Sequence, residues 1–193
     1  MKTEINSINF NAKFIKQTTI TRNYAGKYED FPVNFIEFNE KDPTDFKSLN
    51  DLKEDWEYYS YNFSTFLNSI MNNIEYRLKN NKKSEQIYAI TTQNNNFDKI
   101  NSKEVLGIVE FKNGKDYNFI EYLQVDPKLL PRYNNKREFL GIGSAIIKNL
   151  QHLTDKSIFV DSSKSARKFY EKNGFVSASP VENTYIWKKT DIK

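Results

Sequence analysis

With 193 residues, the chain is long enough for one compact domain with its own core. It lacks cysteine, which excludes disulfides, thiolate nucleophiles and thiolate-bound zinc. Its one histidine, His152, excludes a His-rich metal site, so no metal is expected. The formal charge of +4 comes from acids and bases that alternate along most of the sequence, which argues against a nucleic-acid partner, since that would gather Lys and Arg on one face.

Hydrophobic residues make up only 38% of the chain, so the 15 Phe and 12 Tyr must supply much of the core. The N-terminal Met1-Lys2-Thr3-Glu4 lacks the apolar stretch of a signal peptide. No apolar run is long enough to span a bilayer, and a soluble cytoplasmic protein without a membrane partner is expected.

The first thirty residues alternate loosely and suggest a preliminary hairpin (Phe10, Lys13, Phe14, Ile15, then Thr18-Thr19-Ile20). Val33 to Phe38 is β-rich, ends at a polar turn and reads as a strand. From Asp45 to about Asn80 the period becomes helical: Phe63, Phe66, Leu67, Ile70, Met71, Ile74 and Leu78 recur every three or four residues. Asp42-Pro43-Thr44 supplies a start and Asn80-Asn81-Lys82-Lys83 an end, with a break into two helices expected around Tyr59 to Asn62. Trp56, Tyr58, Tyr59 and Tyr61, with Asp55 and Glu57, form either an aromatic, acidic pocket for a cationic amine or a Tyr-rich face packed on the core.

Gln86 to Thr91, Val105 to Phe111 and Tyr117 to Val125 follow as three β-runs, the last two joined at Asn113-Gly114, a hairpin signal. Short connections imply an antiparallel meander. A helix, a strand from Ser157 to Val160, a second helix and a final strand pair complete the chain.

Two segments carry the chemistry. The first runs from Leu123-Gln124-Val125-Asp126-Pro127 through a basic loop (Arg132, Lys136, Arg137) to Gly141-Ile142-Gly143-Ser144 at a helix start, with Ile142, Ile146, Leu150 and Leu153 on one helix face. Free N–H groups in the first helical turn make a strand–glycine–helix unit an anion cradle suited to a pyrophosphate, although Gly-x-Gly as a bare pattern is more often an ordinary tight turn into a helix. The antiparallel context and the missing third glycine disfavour a Rossmann site. In the second segment, Ser162 or Ser163 can cap a helix that Gly174 stops, and Ala166, Phe169 and Tyr170 share the face that packs on the sheet. Tyr170 is either a core aromatic or a proton donor.

Together these segments resemble the GNAT superfamily of N-acetyltransferases. That family's pattern runs from a strand ending Leu-x-Val, through Arg/Gln-x-x-Gly-x-Gly/Ala, to Ala-x-x-Phe-Tyr-x-x-x-Gly-Phe. Here it is met by Leu123-x-Val125, Gly141-x-Gly143 and Ala166-x-x-Phe169-Tyr170-x-x-x-Gly174-Phe175. The resemblance covers about Val105 to Phe175. It departs at Glu138, which stands at the Arg/Gln position, and at Ser163, where the family often has Asn. It departs again in the stretch from Pro127 to Arg137, which is longer than usual.

The resemblance implies an α/β (α+β) fold with a mixed, mostly antiparallel sheet flanked by helices, in a single domain over 1–193. About 1–85 would form the acceptor side and about 86–193 the acetyl-CoA-binding region. It implies transfer of an acetyl group from acetyl-CoA, as co-substrate, to an amine acceptor, a small molecule or a protein.

In that reading Leu123, Gln124 and Val125 pair with the pantetheine arm. Arg137, Glu138, Phe139, Leu140, Gly141, Ile142, Gly143 and Ser144 hold the pyrophosphate, and Ser163 touches the cofactor. Tyr170 protonates the departing thiolate. Glu121, two residues before Leu123 and so on its face by simple alternation, is the candidate base, with Glu110 as rival. A non-catalytic acyl-CoA-binding or interaction module of the same fold is the alternative. The strands near Tyr185-Ile186-Trp187 are the candidate contact for a homodimer.

Overall fold

The computed structural model describes residues 12–57, 61–80, 85–131, 136–179 and 183–189, with side chains in the second segment from residue 65 onward. Nine strands form one sheet in the order β6-β1-β2-β3-β4-β5-β7-β9-β8. Its strands are β1 (Lys13–Tyr24), β2 (Lys27–Phe38), β3 (Glu85–Thr91), β4 (Val105–Asn113), β5 (Asn118–Val125), β6 (Phe139–Leu140), β7 (Ile158–Asp161), β8 (Val176–Ser177) and β9 (Thr184–Trp187). Every pairing is antiparallel except β5 with β7.

The helices α1 (Pro43–Glu57) and α2 (Tyr61–Asn80) cover one face, while α3 (Ile142–Leu153) and α4 (Arg167–Lys172) cover the other. Successive residues of the central strands feed opposite cores, as a pleat requires: Phe35, Ile90 and Val109 pack toward α3, and Ile36, Ala89 and Ile108 toward α1 and α2. The expected fold class is the observed one. No helix among the described residues is long and apolar enough to cross a membrane.

The loosely alternating N-terminal segment is the first arm of a long hairpin. Its second arm is the expected 33–38 strand, extended back to Lys27. Ala25 and Gly26 turn the chain with φ of 52° and 85°, the left-handed pair that a two-residue hairpin favours.

Pro43 opens α1, and Asp42 Oδ1 accepts from the N–H groups of Thr44 and Asp45 at 2.7 and 3.1 Å, a side-chain cap at the expected start. α1 and α2 lie on either side of residues 58–60, so the break expected around Tyr59 to Asn62 falls largely outside the described residues. Leu67, Ile70, Met71 and Ile74 are buried, but Phe66 and Leu78, which the periodicity placed with them, are largely exposed. Trp56 is 1% exposed in the α1–α2 core, so it belongs to packing and not to an open aromatic pocket. Tyr58, Tyr59 and the side chains of Tyr61 and Phe63 lie outside the described residues.

One expectation about connections is corrected. The β3–β4 link is not short: residues 92–104 form a loop organised by Gln93, whose Nε2 donates to the carbonyls of Asn95, Asn96 and Lys99. The hairpin signalled at Asn113-Gly114 does join β4 to β5, with Asn113 pairing with Asn118 across Gly114–Tyr117. Glycine is needed there for close approach, because a Cβ on Gly114 would come within 2.2 Å of the Tyr117 carbonyl oxygen.

The feature that shapes the site is a bulge in β5. Glu110 pairs with Tyr122 but Phe111 with Ile120, leaving Glu121 as the extra residue. A bulge bends and twists its strand. Accordingly β7 follows β5 only over Asn118–Ile120, and beyond the bulge β5 has no strand on that side among the described residues.

The candidate acetyl-CoA site

Asp126 N–H donates to the Leu106 carbonyl at 2.9 Å, so 106 and 126 form a hydrogen-bonded pair. Alternation along the antiparallel ladder makes 108/124 the next such pair, and leaves 107/125 and 109/123 as the pairs that do not exchange bonds. The backbone groups of Leu123 and Val125 therefore point away from β4, into the gap that β7 vacates. Those of Gln124 are spent on Ile108. Gln124 contributes differently: its buried side chain donates through Nε2 to the Val125 carbonyl at 2.7 Å.

Past a 3-10 turn at Pro127–Leu129, the chain reaches Gly141, which caps α3 with φ of 81°, a value side chains rarely adopt. The first helical bond runs from Ala145 N–H to the Gly141 carbonyl at 2.8 Å, and no side chain caps this end. The N–H groups of Ile142, Gly143 and Ser144 are thus left with the positive end of the helix dipole.

The glycines differ in purpose. No heavy atom lies within 4 Å of where a Cβ on Gly141 would be, whereas a Cβ on Gly143 would stand 3.1 Å from the Phe169 ring and 3.7 Å from Val125. Close packing at Gly143 is what brings the two sequence motifs into one site. Gly107 serves the same assembly from β4, since a Cβ there would meet Ile142 Cγ2 at 2.8 Å and Ile146 Cδ1 at 3.0 Å.

Tyr170 sits edge-on between Phe169 and Phe175, at ring-centroid distances of 5.0 and 5.5 Å. Its hydroxyl makes no hydrogen bond among the described residues, and burial pushes it up to about 12, so it remains a phenol across the physiological range. Gly174, with φ of 84°, ends α4 as expected, and Phe175 N–H returns to the Tyr170 carbonyl at 3.1 Å. The expected serine cap is not made. Ser162 Oγ donates to the Ser163 carbonyl, Ser163 Oγ meets Ser165 Oγ at 3.0 Å, and the segment opens with a 3-10 turn at Lys164–Ala166.

The two carboxylates are in different states. Glu110 is fully buried, accepting from Arg77 Nη1 at 2.7 Å and Asn73 Nδ2 at 2.9 Å. Burial raises its pKa, and these partners oppose the rise. Glu121 is part-exposed, with Lys112 Nζ at 3.6 Å. The bulge breaks the simple alternation that would put Glu121 with Leu123. Leu123 packs into the α3 core, while Lys112, the partner of Glu121, also reaches Glu85 (3.8 Å), which pairs with Arg77 of α2. The spacing of three between the inward residues Ile120 and Leu123 is the sequence signal of this bulge.

Sequence reasoning missed Arg22. Its Nε and Nη2 donate to Glu138 Oε1 at 3.1 and 2.9 Å, and Asn23 N–H donates to the Glu138 carbonyl at 2.6 Å. Phe139 and Leu140 pair with Arg22 and Thr21 as β6, so the stretch leading into the cradle is an edge strand on β1. Lys136 and Arg137 lead into it, and Arg132 lies outside the described residues. A separate cavity of about 840 Å³, lined by Lys13, Glu37, Lys41 and Gln86 among others, lies by the end of β2 and the start of β3, at the opposite end of the central strands.

No curated protein matches the chain. Among solved structures, a Desulfovibrio desulfuricans protein assigned to the GNAT family of acetyltransferases is 13% identical, covers 81% of this chain and 98% of its own, and superposes with a TM-score of 0.52. PaiA N-acetyltransferase from Thermoplasma acidophilum, solved with coenzyme A, is 14% identical over 81% of this chain and 99% of its own (TM-score 0.47). The Escherichia coli ribosomal-protein-S18-alanine N-acetyltransferase is 14% identical over 83% and 97% (TM-score 0.46). The model of the acetyltransferase (GNAT) domain matches residues 57–186, from the end of α1 to the last strand, and the chain belongs to the GNAT acetyltransferase family.

Proposed function

We propose that this acetyltransferase is an acetyl-CoA-dependent N-acetyltransferase, in which an amine attacks the thioester directly. The observation that carries the reading is the row of outward backbone groups at Leu123 and Val125, running toward the uncapped amides of Ile142, Gly143 and Ser144. An amide-bearing arm joins the first as an added strand. A diphosphate suits the second, with the dipole in its favour.

Attack by a neutral amine requires a base, and collapse of the tetrahedral intermediate requires an acid for the thiolate. Tyr170 is the acid: its phenol is protonated, without a hydrogen-bond partner among the described residues, and locked by two aromatic neighbours. Desolvation that raises the phenol also raises a thiolate in the same pocket, so donor and acceptor shift together. Glu121 is the better placed of the two candidate bases. Its advantage is availability and not alignment with Leu123, which the bulge removes: its partner Lys112 is exposed and 3.6 Å away, whereas Glu110 is tied into a buried pair.

The test is thermal unfolding with acetyl-CoA, CoA and NAD, followed by turnover against a panel of amines. Ligand at 100 times its dissociation constant adds about 2.7 kcal/mol. Stabilisation by both CoA ligands but not NAD, with release of free CoA thiol when an amine is present, is the expected result. Absence of any CoA effect overturns the reading. Binding without turnover of any amine favours a non-catalytic CoA-binding module.

A further inference from the structure

We infer that Arg22 is a positioning residue for the CoA diphosphate, acting from β1 by neutralising Glu138 and fastening the cradle's leading strand; this rests on the acetyl-CoA reading above. Glu138 puts a carboxylate three residues before Gly141, at the mouth of a site that must take an anion. Left unpaired, that charge repels the ligand. Arg22 covers it with two bonds to one oxygen, while the neighbouring peptide, Asn23 N–H, holds the Glu138 carbonyl.

The guanidinium is itself held in place. Its carbon lies 5.7 Å from the Tyr24 ring centre, 5.2 Å from Phe31 and 5.9 Å from Phe139, and Phe31 packs on Phe139 at 5.3 Å. Planar Arg stacks among rings in a way Lys does not. One strand thus supplies both the counter-charge and the ladder that fixes Phe139 and Leu140, directly before the αL glycine.

Calorimetric titration of CoA into wild type, Arg22→Met, Glu138→Gln and the double variant tests this, at low and high salt. Arg22→Met is expected to weaken CoA about tenfold at low salt, the size of one uncompensated charge several ångströms from a diphosphate. High salt should shrink the defect, because the repulsion is screened. Adding Glu138→Gln should return affinity to within about threefold of wild type, since the offending charge is gone.

A loss of fixed structure alone would respond to neither salt nor Glu138→Gln, and that result overturns the electrostatic role. Unchanged affinity in Arg22→Met overturns the inference outright. Should Arg22→Met fail to fold, Glu138→Gln alone decides: it is expected to tighten CoA, with Arg22 released toward the anion, and weaker binding contradicts the inference. Wild type that binds no CoA overturns the underlying reading, whereas wild-type binding with a null Arg22→Met overturns this step only.

Discussion

Between β4 and α2, one guanidinium, Arg77, meets three carboxylates, those of Glu40, Glu85 and Glu110, at 2.7, 3.3 and 2.7 Å. Between β5 and α3, on the other face, the chain instead presents backbone amides at a helix start that has no side-chain cap among the described residues. The first region pairs its charged side chains within the protein, and the second, in the proposed site, offers its dipoles to a ligand. In the proposed site, outward-facing backbone groups mark the surface better than charged side chains do. The buried ionic cluster is read as architecture for α2, and the electrically plain strand–helix junction as the site.

That contrast is most open to attack at Arg77. Arg77→Met leaves Glu110 buried without its counter-ion, and the expected loss is about 3–5 kcal/mol of stability in urea unfolding. A loss under about 1 kcal/mol would mean the cluster is not structural. Tyr170→Phe, on the site face, should lower turnover about 10- to 1000-fold while CoA affinity holds, because only the proton is removed. Unchanged turnover would assign Tyr170 to the core alone.

Gly107→Val sharpens the same comparison, since its side chain would be driven into Ile142 and Ile146. We expect about 1–3 kcal/mol of destabilisation, together with weaker CoA binding, as the start of α3 moves. Destabilisation with intact CoA affinity would show that the cradle does not depend on this packing.

The smallest effect concerns Asp45, fully buried in α1, whose carboxyl is pushed up from 3.8 to about 7 chiefly by burial. A raised folded pKa favours the protonated form, so its contribution is complete below pH 3.8 and is lost as pH rises through 7. Asp45→Asn keeps an acceptor for the Asn39 N–H and cannot ionise. It should gain about 1–2 kcal/mol over wild type at pH 8 and nothing at pH 4 in paired urea titrations. Parallel pH profiles would contradict the burial argument.

The parts of the fold that were legible in sequence are those set by local rules. Asp42-Pro43 caps and opens α1, Gly174 ends α4 in the left-handed region, and the apolar stripes of α2 and α3 reach their cores, except that Leu153, expected on the α3 stripe, is exposed at the helix end. The motif residues Gly143 and Phe169 meet, as packing at a glycine requires. What stayed hidden depends on partners far along the chain. Arg22 and Glu138 are 116 positions apart, and nothing near either announces the pairing. The bulge at Glu121 needed the β4 register, although the slip from Ile120 to Leu123 hinted at it. Phe66 and Leu78 followed the helical period but lie at the margin of the stripe, where the neighbouring layer does not cover them.

The most direct test of the central claim is an amide chemical-shift titration of the labelled protein with CoA. The account predicts the largest changes at Leu123, Val125 and Gly141 through Ser144, with little at Gln124, whose backbone is already bonded to β4. Changes concentrated instead around Lys13, Glu37 and Gln86, in the cavity by the end of β2, or no change anywhere, would contradict it.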